Sequence, residues 1–411
     1  MNQAAVPPPD PATASALARR WDVFRVFLLL GLTSFGGPVA HLGYFRHAFV
    51  QHRRWLTDAD YADLVALCQF LPGPASSQVG FALGLWRAGP WGAALAWLAF
   101  TLPSAVILVL FAWGASAVQG PIGDGILHGL KVVAVAIVAQ AIWGMAHALC
   151  PDRTRAAIAL VAVAVVAAVA GPGGQVLAIG LGGLAGLLWC RSGTTRVVSQ
   201  LHFPVSRTAG HYALAAFFGL LVGLPLMTWL VPTPALAVVD AFYRAGALVF
   251  GGGHVVLPLL EAEVVQNGWV TPAAFVAGYG AAQAVPGPLF TFAAYLGAVL
   301  PVWPHGVAGA ALALVAIFAP GFLLLVGVLP YWNTFRGWAR TQALMRGANA
   351  AVVGILAAAL YQPVFTQAVL SSRDFALALA GFVLLVRWRC PAWLVVVLVA
   401  LGGILTVAPS A

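Results

Sequence analysis

The stretch Leu71-Pro72-Gly73-Pro74-Ala75-Ser76-Ser77-Gln78 sits inside an apolar segment and carries residues that end one helix and begin another. Proline has no backbone N–H and its ring collides with the preceding turn, so a helix is expected to stop near Leu71. A new helix can start just after Pro74, because proline is tolerated at a first helical position. The N–H groups near Ser76, Ser77 and Gln78 then lack partners in their own helix and lie at the positive end of its dipole. Such an end holds an oxyanion without a fixed cation, and two hydroxyls and an amide beside it add donors. A second stretch, Pro286-Gly287-Pro288-Leu289-Phe290-Thr291, gives the same break with one hydroxyl, at Thr291. The first is therefore the better equipped of the two. The competing account is a kinked helix whose prolines only shape packing.

Titratable groups in apolar surroundings are the next clue. Lys131, the single lysine of the chain, lies in Gly129-Leu130-Lys131-Val132-Val133, where the aligned residue of the second half is Asn349. Burying such a charge in a bilayer costs at least about 2.5–3.5 kcal/mol, which makes a functional role a fair expectation. Snorkelling to the interface is the alternative. His41, His254 and Glu261 flank the interrupted segments and are candidate proton carriers. Arg244 and Asp240, one helical turn apart, read as an ion pair. The cysteines Cys68, Cys150, Cys190 and Cys390 are too dispersed for a disulfide framework or a metal site.

The elements that must position these groups are duplicated. Phe35-Gly36-Gly37, Trp55-Leu56-Thr57 and Gln69-Phe70-Leu71-Pro72-Gly73-Pro74 return as Phe250-Gly251-Gly252, Trp269-Val270-Thr271 and Gln283-Ala284-Val285-Pro286-Gly287-Pro288. Matched interruptions in two halves are the sequence sign of a transporter whose site lies between repeats. The glycine clusters, Gly36-Gly37 and Gly252 with its neighbours, break their segments in the same way, and they also suit close helix packing.

Apolar residues make up 62% of the 411 and charged residues 8%, with a mean hydropathy of +0.95, which excludes an ordinary soluble domain. Many runs reach the roughly 20 residues that cross a bilayer. Backbone freed at membrane depth must be buried in protein or face water, so two matched breaks suggest one shared cavity. The net charge of +9 is spread thinly over short loops, with no basic run interleaved with aromatics, so it reads as topogenic and excludes nucleic acid as a partner.

Six apolar segments, one connecting segment and six more imply an all-α polytopic membrane protein of about 11–13 membrane segments. The step from an element to its copy is odd, so two inverted-topology repeats with broken or re-entrant helices are expected. The division is a disordered cytoplasmic tail over 1–20, a first repeat over 21–190, a linker with one transmembrane helix over 191–235, and a second repeat over 236–408. Nothing like a signal peptide precedes the first apolar segment, so the N-terminus is expected to stay cytoplasmic. Simple alternation puts nearly all arginines on one side but leaves Arg46, Arg53 and Arg54 outside. Either the first elements are re-entrant, which returns these arginines inside, or they form an external surface that collects anions. The first account is preferred because it removes the exception.

These motifs are also familiar. Phe35-Gly36-Gly37-Pro38-Val39-Ala40-His41, Arg53-Arg54-Trp55-Leu56, the stretch from Leu67 to Gly80, Phe100-Thr101-Leu102-Pro103-Ser104, Phe250 to Leu260 and Gly278 to Phe290 closely resemble the chromate ion transporter family of bacteria in its long two-domain form. The resemblance implies an inner-membrane carrier of tetrahedral oxyanions that expels chromate and confers resistance, driven by the membrane potential or a proton gradient, with sulfate as the related anion. It does not say which residues touch the ion. From the helix-end argument, the anion is expected at Ser76, Ser77, Gln78 and Thr291, with Lys131 or Arg53 and Arg54 supplying positive field. A carrier or channel for sulfate or another small oxyanion is the alternative, and a homodimer is left open. No cofactor is expected. With no paired intramembrane carboxylates, HExxH or nucleophile elbow, enzyme chemistry is not expected either.

Overall fold

The computed structural model describes residues 15–117, 120–169, 171–190, 203–250, 253–332 and 338–407, which are helical and contain no strand. Gly252, the tail before Ser15 and the linker residues 191–202 lie outside the described residues. Five helices are long and apolar enough to cross a bilayer: Ala75–Gly114, Ile122–Leu149, Arg207–Leu230, Gly306–Tyr331 and Ala339–Ala368. The chain is thus a multi-pass helical membrane protein, with side chains such as Leu160, Leu188 and Trp229 presented outward as lipid requires.

The first elements turn back on themselves. Helix α1 (Ala16–Thr33) ends at Ser34, Gly36 and Gly37 take the positive φ values of 99° and 78°, and α2 (Gly37–Phe45) returns through a wider π turn at Arg46–His52. Arg53 Nη1 donates to Asp22 Oδ1 at 2.8 Å and closes this hairpin. Helix α3 (Asp58–Phe70) enters and α4 (Ala75–Ala117) begins by coming back. Arg87 then lies 5.0 Å from the Trp55 ring, on which Arg53 also sits at 6.0 Å. Both pairs therefore open onto one face, with Arg53 and Arg87 together. Arg46, paired with Asp58 at 2.7 Å, and Arg54 share that face, so the exception left by simple alternation disappears. At Ala88 and Gly89 the helix kinks, and only the rest of α4 continues across.

The second half repeats the plan. Helix α9 (Pro234–Ala247) is followed by a short return through α10 (Val256–Leu260) and a π turn at Glu261–Val265. Arg244 of α9 binds Asp240 at 2.9 Å, the helix-spaced ion pair expected from the sequence, and also Glu263 on the return at 3.0 Å. Helix α11 (Pro272–Ala284) is paired with α12 (Phe292–Ala298), where the Tyr295 hydroxyl donates to the Ala274 carbonyl at 3.1 Å.

The remaining helices exchange partners between the halves. Helix α5 (Pro121–Leu149) packs Gly125 and Gly129 against Ile404, Ala400 and Gly403 of α16 (Ala392–Val407). Helix α14 (Ala339–Ala359), the copy of α5, packs Gly347 against Gly182 and Gly186 of α7 (Pro172–Trp189), the copy of α16. Helices α6 (Arg153–Ala168) and α15 (Ser372–Val386) follow suit, on α14 and α5 respectively. Near the break of each first helix, Gly31 meets the Phe100 carbonyl and Gly246 meets that of Ile317 on α13 (Gly306–Val328).

Contacts near the arginine face locate one end of each long mid-half helix. The crossing part of α4 starts near Trp91, which shares a groove with Leu17 and Trp21 of α1 at the arginine face. Helix α13 instead finishes there: just beyond it, Trp332 Nε1 donates to Asp63 of α3 at 3.2 Å. Helix α8 (Arg207–Leu230) starts at the same face, with His211 and Tyr331 hydrogen-bonded at 2.7 Å.

Candidate functional site

The prolines cut both segments where steric exclusion requires. Leu71 is extended (φ −79°, ψ 147°) and α4 opens at Ala75. Val285 is extended likewise (φ −92°, ψ 139°), and a 3-10 turn opens at Leu289. Between the prolines, Gly73 and Gly287 adopt φ values of 121° and 105°. Their N–H groups do not point at open space. Gly73 N donates to the Val249 carbonyl at 2.7 Å, and Gly287 N donates to the Ser34 carbonyl at 2.8 Å. Val249 and Ser34 are equivalent residues, each just before the Phe-Gly-Gly break of its half. Each Pro-Gly-Pro loop is thus bonded to the glycine break of the other half. The glycine breaks also meet each other, Gly37 beside His254 and Pro38 against Gly253. Four interruptions, far apart in sequence, form one unit.

The polar side chains of this unit are unevenly shared. On the first half, Ser34 Oγ, Ser77 Oγ, Thr101 Oγ1 and His41 Nε2 are buried without a hydrogen-bond partner. Ser76 Oγ lies 3.4 Å from His41 Nδ1. Ser104 stands against Gly287. Gln78 N donates to the Pro74 carbonyl at 2.9 Å, so the N–H groups of Ala75, Ser76 and Ser77 precede the first bond of their helix. The Gln78 side chain is a clasp: Nε2 donates to the carbonyls of Pro72 at 3.0 Å and Gly321 at 2.9 Å, and Oε1 has no partner.

At the equivalent second-half positions stand Val249, Val256, Phe290, Phe318 and Gly321, none with a polar side chain. Thr291 keeps its hydroxyl but donates it to its own Pro288 carbonyl at 2.7 Å. What polarity the second half has lies in the turn that carries His254 and on α11: His254 Nδ1 and the buried Tyr279 hydroxyl are 2.8 Å apart, and Gln283 Nε2, one turn beyond Tyr279, has no hydrogen-bond partner. This arrangement suits a small anion held from the first half. Burying an unsatisfied polar group costs roughly 1–3 kcal/mol, so the five unpartnered first-half atoms named above, Gln78 Oε1 included, need a reason.

Comparison with known proteins decides the family. A family model described as "Chromate transporter" matches residues 21–187 and again 236–405. The chain belongs to the chromate transporter family. A "Probable chromate transport protein" of Synechococcus elongatus is 28% identical over 402 residues, covering 93% of this chain and 94% of that protein. A "Chromate transport protein" of Pseudomonas aeruginosa is 28% identical over 400 residues, 93% of this chain and 90% of its own. Another, of Cupriavidus metallidurans, is 28% identical over 347 residues, 81% and 80% respectively. No solved structure matches.

Not every sequence candidate of this chromate transporter family member lies at the crossed breaks. Arg53 is engaged by Asp22, and Arg54, with a φ of 49°, is exposed at the arginine face. Glu261 lies on the return of α10, with Gln266 Nε2 at 3.3 Å. Gln69 is exposed and Gln283 half-buried, each at the end of the helix that precedes its loop. Lys131 follows Leu130, whose carbonyl lies against Gly280, one turn before Gln283. The charge acting on it is that of Asp374, which also binds His128 at 2.7 Å and Ser371 at 2.9 Å. Sequence reasoning did not single out Ser34, Thr101 or Ser104 as site residues. The signal was available by setting the halves against each other: Phe100-Thr101-Leu102-Pro103-Ser104 aligns with Ile317-Phe318-Ala319-Pro320-Gly321, and only the first copy carries hydroxyls. Among the described residues no group of His, Cys, Asp and Glu could hold a metal.

Proposed function

We propose that this protein exports chromate across the bacterial inner membrane and so confers chromate resistance, by alternating access at a site between inverted repeats. The observation that carries the reading is the crossed pair of loops, Gly73 bonded to Val249 and Gly287 to Ser34, with unpartnered hydroxyls and a helix N-terminus beside it. A tetrahedral dianion there accepts from Ser34, Ser77 and Thr101 and from the first N–H groups of α4, with Lys131 adding positive field. The chromate-named relatives supply the choice of anion.

The start of the crossing part of α4 and the end of α13 at one face support inversion, since each half then enters from its own face. The face that gathers Arg46, Arg53, Arg54 and Arg87 is the cytoplasmic one by the positive-inside rule, which also puts the N-terminus inside. Rocking one half against the other remakes the cross-bonded contacts on alternate sides. Export runs with the membrane potential: at about 2.3 kcal/mol per charge per 100 mV, an unaccompanied dianion gains roughly 4.6 kcal/mol on leaving a negative interior.

Ser76→Ala combined with Ser77→Ala is expected to cut chromate uptake into everted vesicles about tenfold or more at matched protein level, each charge-assisted hydrogen bond being worth about 1.5–3 kcal/mol. Unchanged uptake would remove these hydroxyls from the site. Adding sulfate in the same assay tests the carrier's range: sulfate that competes equally with chromate makes this a general oxyanion carrier.

A further inference from the structure

One histidine beside the crossed breaks is set in surroundings that a purely structural role does not call for. His41 lies on α2, wholly buried, with its ring edge-on to Phe100 at 5.4 Å. Its Nδ1 is 3.4 Å from Ser76 Oγ, and its Nε2 is unpartnered. The groups around it are the Ser34 carbonyl just past α1, which faces the ring as an acceptor, Ser76 and Phe100 from α4, and Phe45 from its own helix, close to Phe100 in turn. No carboxylate, guanidinium or ammonium among the described residues acts on it. The other titratable groups near the breaks are His254, beside Gly37, and Tyr279, which are bonded to each other, and Lys131, which follows the Leu130 packed against Gly280 of α11. An imidazole buried with no counter-ion stays neutral, because an unpaired charge is not tolerated there. A doubly negative solute placed at Ser77, Thr101 and Ser34 would supply the missing counter-ion.

We infer that His41 takes up one proton at Nε2 when the oxyanion binds, so that proton and anion cross together. This rests on the anion site proposed above and adds what travels with the ion. The proton comes from water on the side to which the site is open, forms the N–H bond at Nε2, and is released with the anion on the other side. One positive and two negative charges then cross per cycle, so the transporter moves a single net charge per anion. His254 is the less suitable carrier, since its Nδ1 is already held by the Tyr279 hydroxyl and it is only half-buried.

The test uses the purified full-length protein with sodium sulfate and sodium chromate as probes. Calorimetric titrations in buffers of differing ionisation enthalpy count protons taken up per anion bound. Reversal potentials in proteoliposomes give the net charge per anion moved. The expected results are about one proton per anion and a charge-to-anion ratio near one, with affinity weakening about tenfold for each pH unit above neutrality. His41→Gln is expected to bring the proton count to zero and make the weakened binding insensitive to pH, whereas His254→Gln should keep the count. Binding without proton uptake, a ratio of two, or a proton count lost in His254→Gln but kept in His41→Gln would overturn the inference and leave the anion site standing. Failure of the folded wild type to bind either anion would overturn both. If His41→Gln does not fold, the wild-type proton count and charge ratio decide alone.

Discussion

Gly287→Ala is expected to reduce chromate transport at least about tenfold, and Gly73→Ala to do the same, while Gly89→Ala stays close to the wild type. All three glycines have positive φ, 105°, 121° and 67°, so an alanine at any of them adopts a left-handed backbone at a cost of roughly 1–2 kcal/mol. What separates them is what the added methyl meets. At Gly287 it would lie 2.7 Å from Ser104 Oγ and 3.3 Å from the Phe100 carbonyl. At Gly73 it would lie 3.0 Å from the Gly321 Cα, where backbone cannot step aside cheaply. At Gly89 it meets nothing within 4 Å. Relieving either clash pushes the loop from the other half and lengthens Gly287 N to Ser34 O or Gly73 N to Val249 O. Strain and overpacking together amount to about 2–4 kcal/mol, enough for a tenfold effect or more. Chromate uptake into everted vesicles, normalised to protein in the membrane, makes the comparison. If Gly287→Ala transports as well as Gly89→Ala, the cross-bonded loops are not the working part.

What could be read in advance follows from the range of the forces involved. Proline and glycine act on their own backbone, so the breaks at Leu71 to Pro74 and Ser34 to Gly37 were legible without any neighbour. The duplication was legible because copies keep those same residues. Partner choice was not. The small faces of α5 and α14 announce close packing, but nothing in Gly129 or Gly347 says that each helix lies on the last helix of the opposite half. The arginine exception had two solutions on charge alone, and Asp22 beside Arg53 separates them. Thr291 shows the limit of analogy between copies. It occupies the position of Ser77, yet the second break reopens as a 3-10 turn and brings its hydroxyl onto Pro288. A lone Ser34 or Thr101 in apolar sequence looks like any membrane hydroxyl bonded back to its own helix. Only burial without a partner marks it out.

That absence of partners leads to the second large effect, in which stability and transport move in opposite directions. Ser34→Ala with Thr101→Val is expected to raise the thermal midpoint of the empty protein while lowering transport about a hundredfold or more. Ser34 is 0% and Thr101 1% exposed, and neither hydroxyl has a hydrogen-bond partner. Removing an unsatisfied buried hydroxyl recovers part of its desolvation penalty, roughly 1–3 kcal/mol for each group, and valine nearly matches threonine in shape. The second half already makes this choice, with Val249 and Phe318 at the equivalent positions. With the anion bound, the same hydroxyls become charge-assisted donors worth about 1.5–3 kcal/mol each, and two lost together correspond to two or more powers of ten in affinity. A hydroxyl kept for packing would give the other pattern, lower stability and unchanged transport, because its loss would leave a cavity. The two measurements belong on one preparation: thermal unfolding without anion, then chromate flux after reconstitution. Lower stability combined with normal flux would show that Ser34 and Thr101 serve the fold, and the anion would have to be sought elsewhere along the crossed breaks.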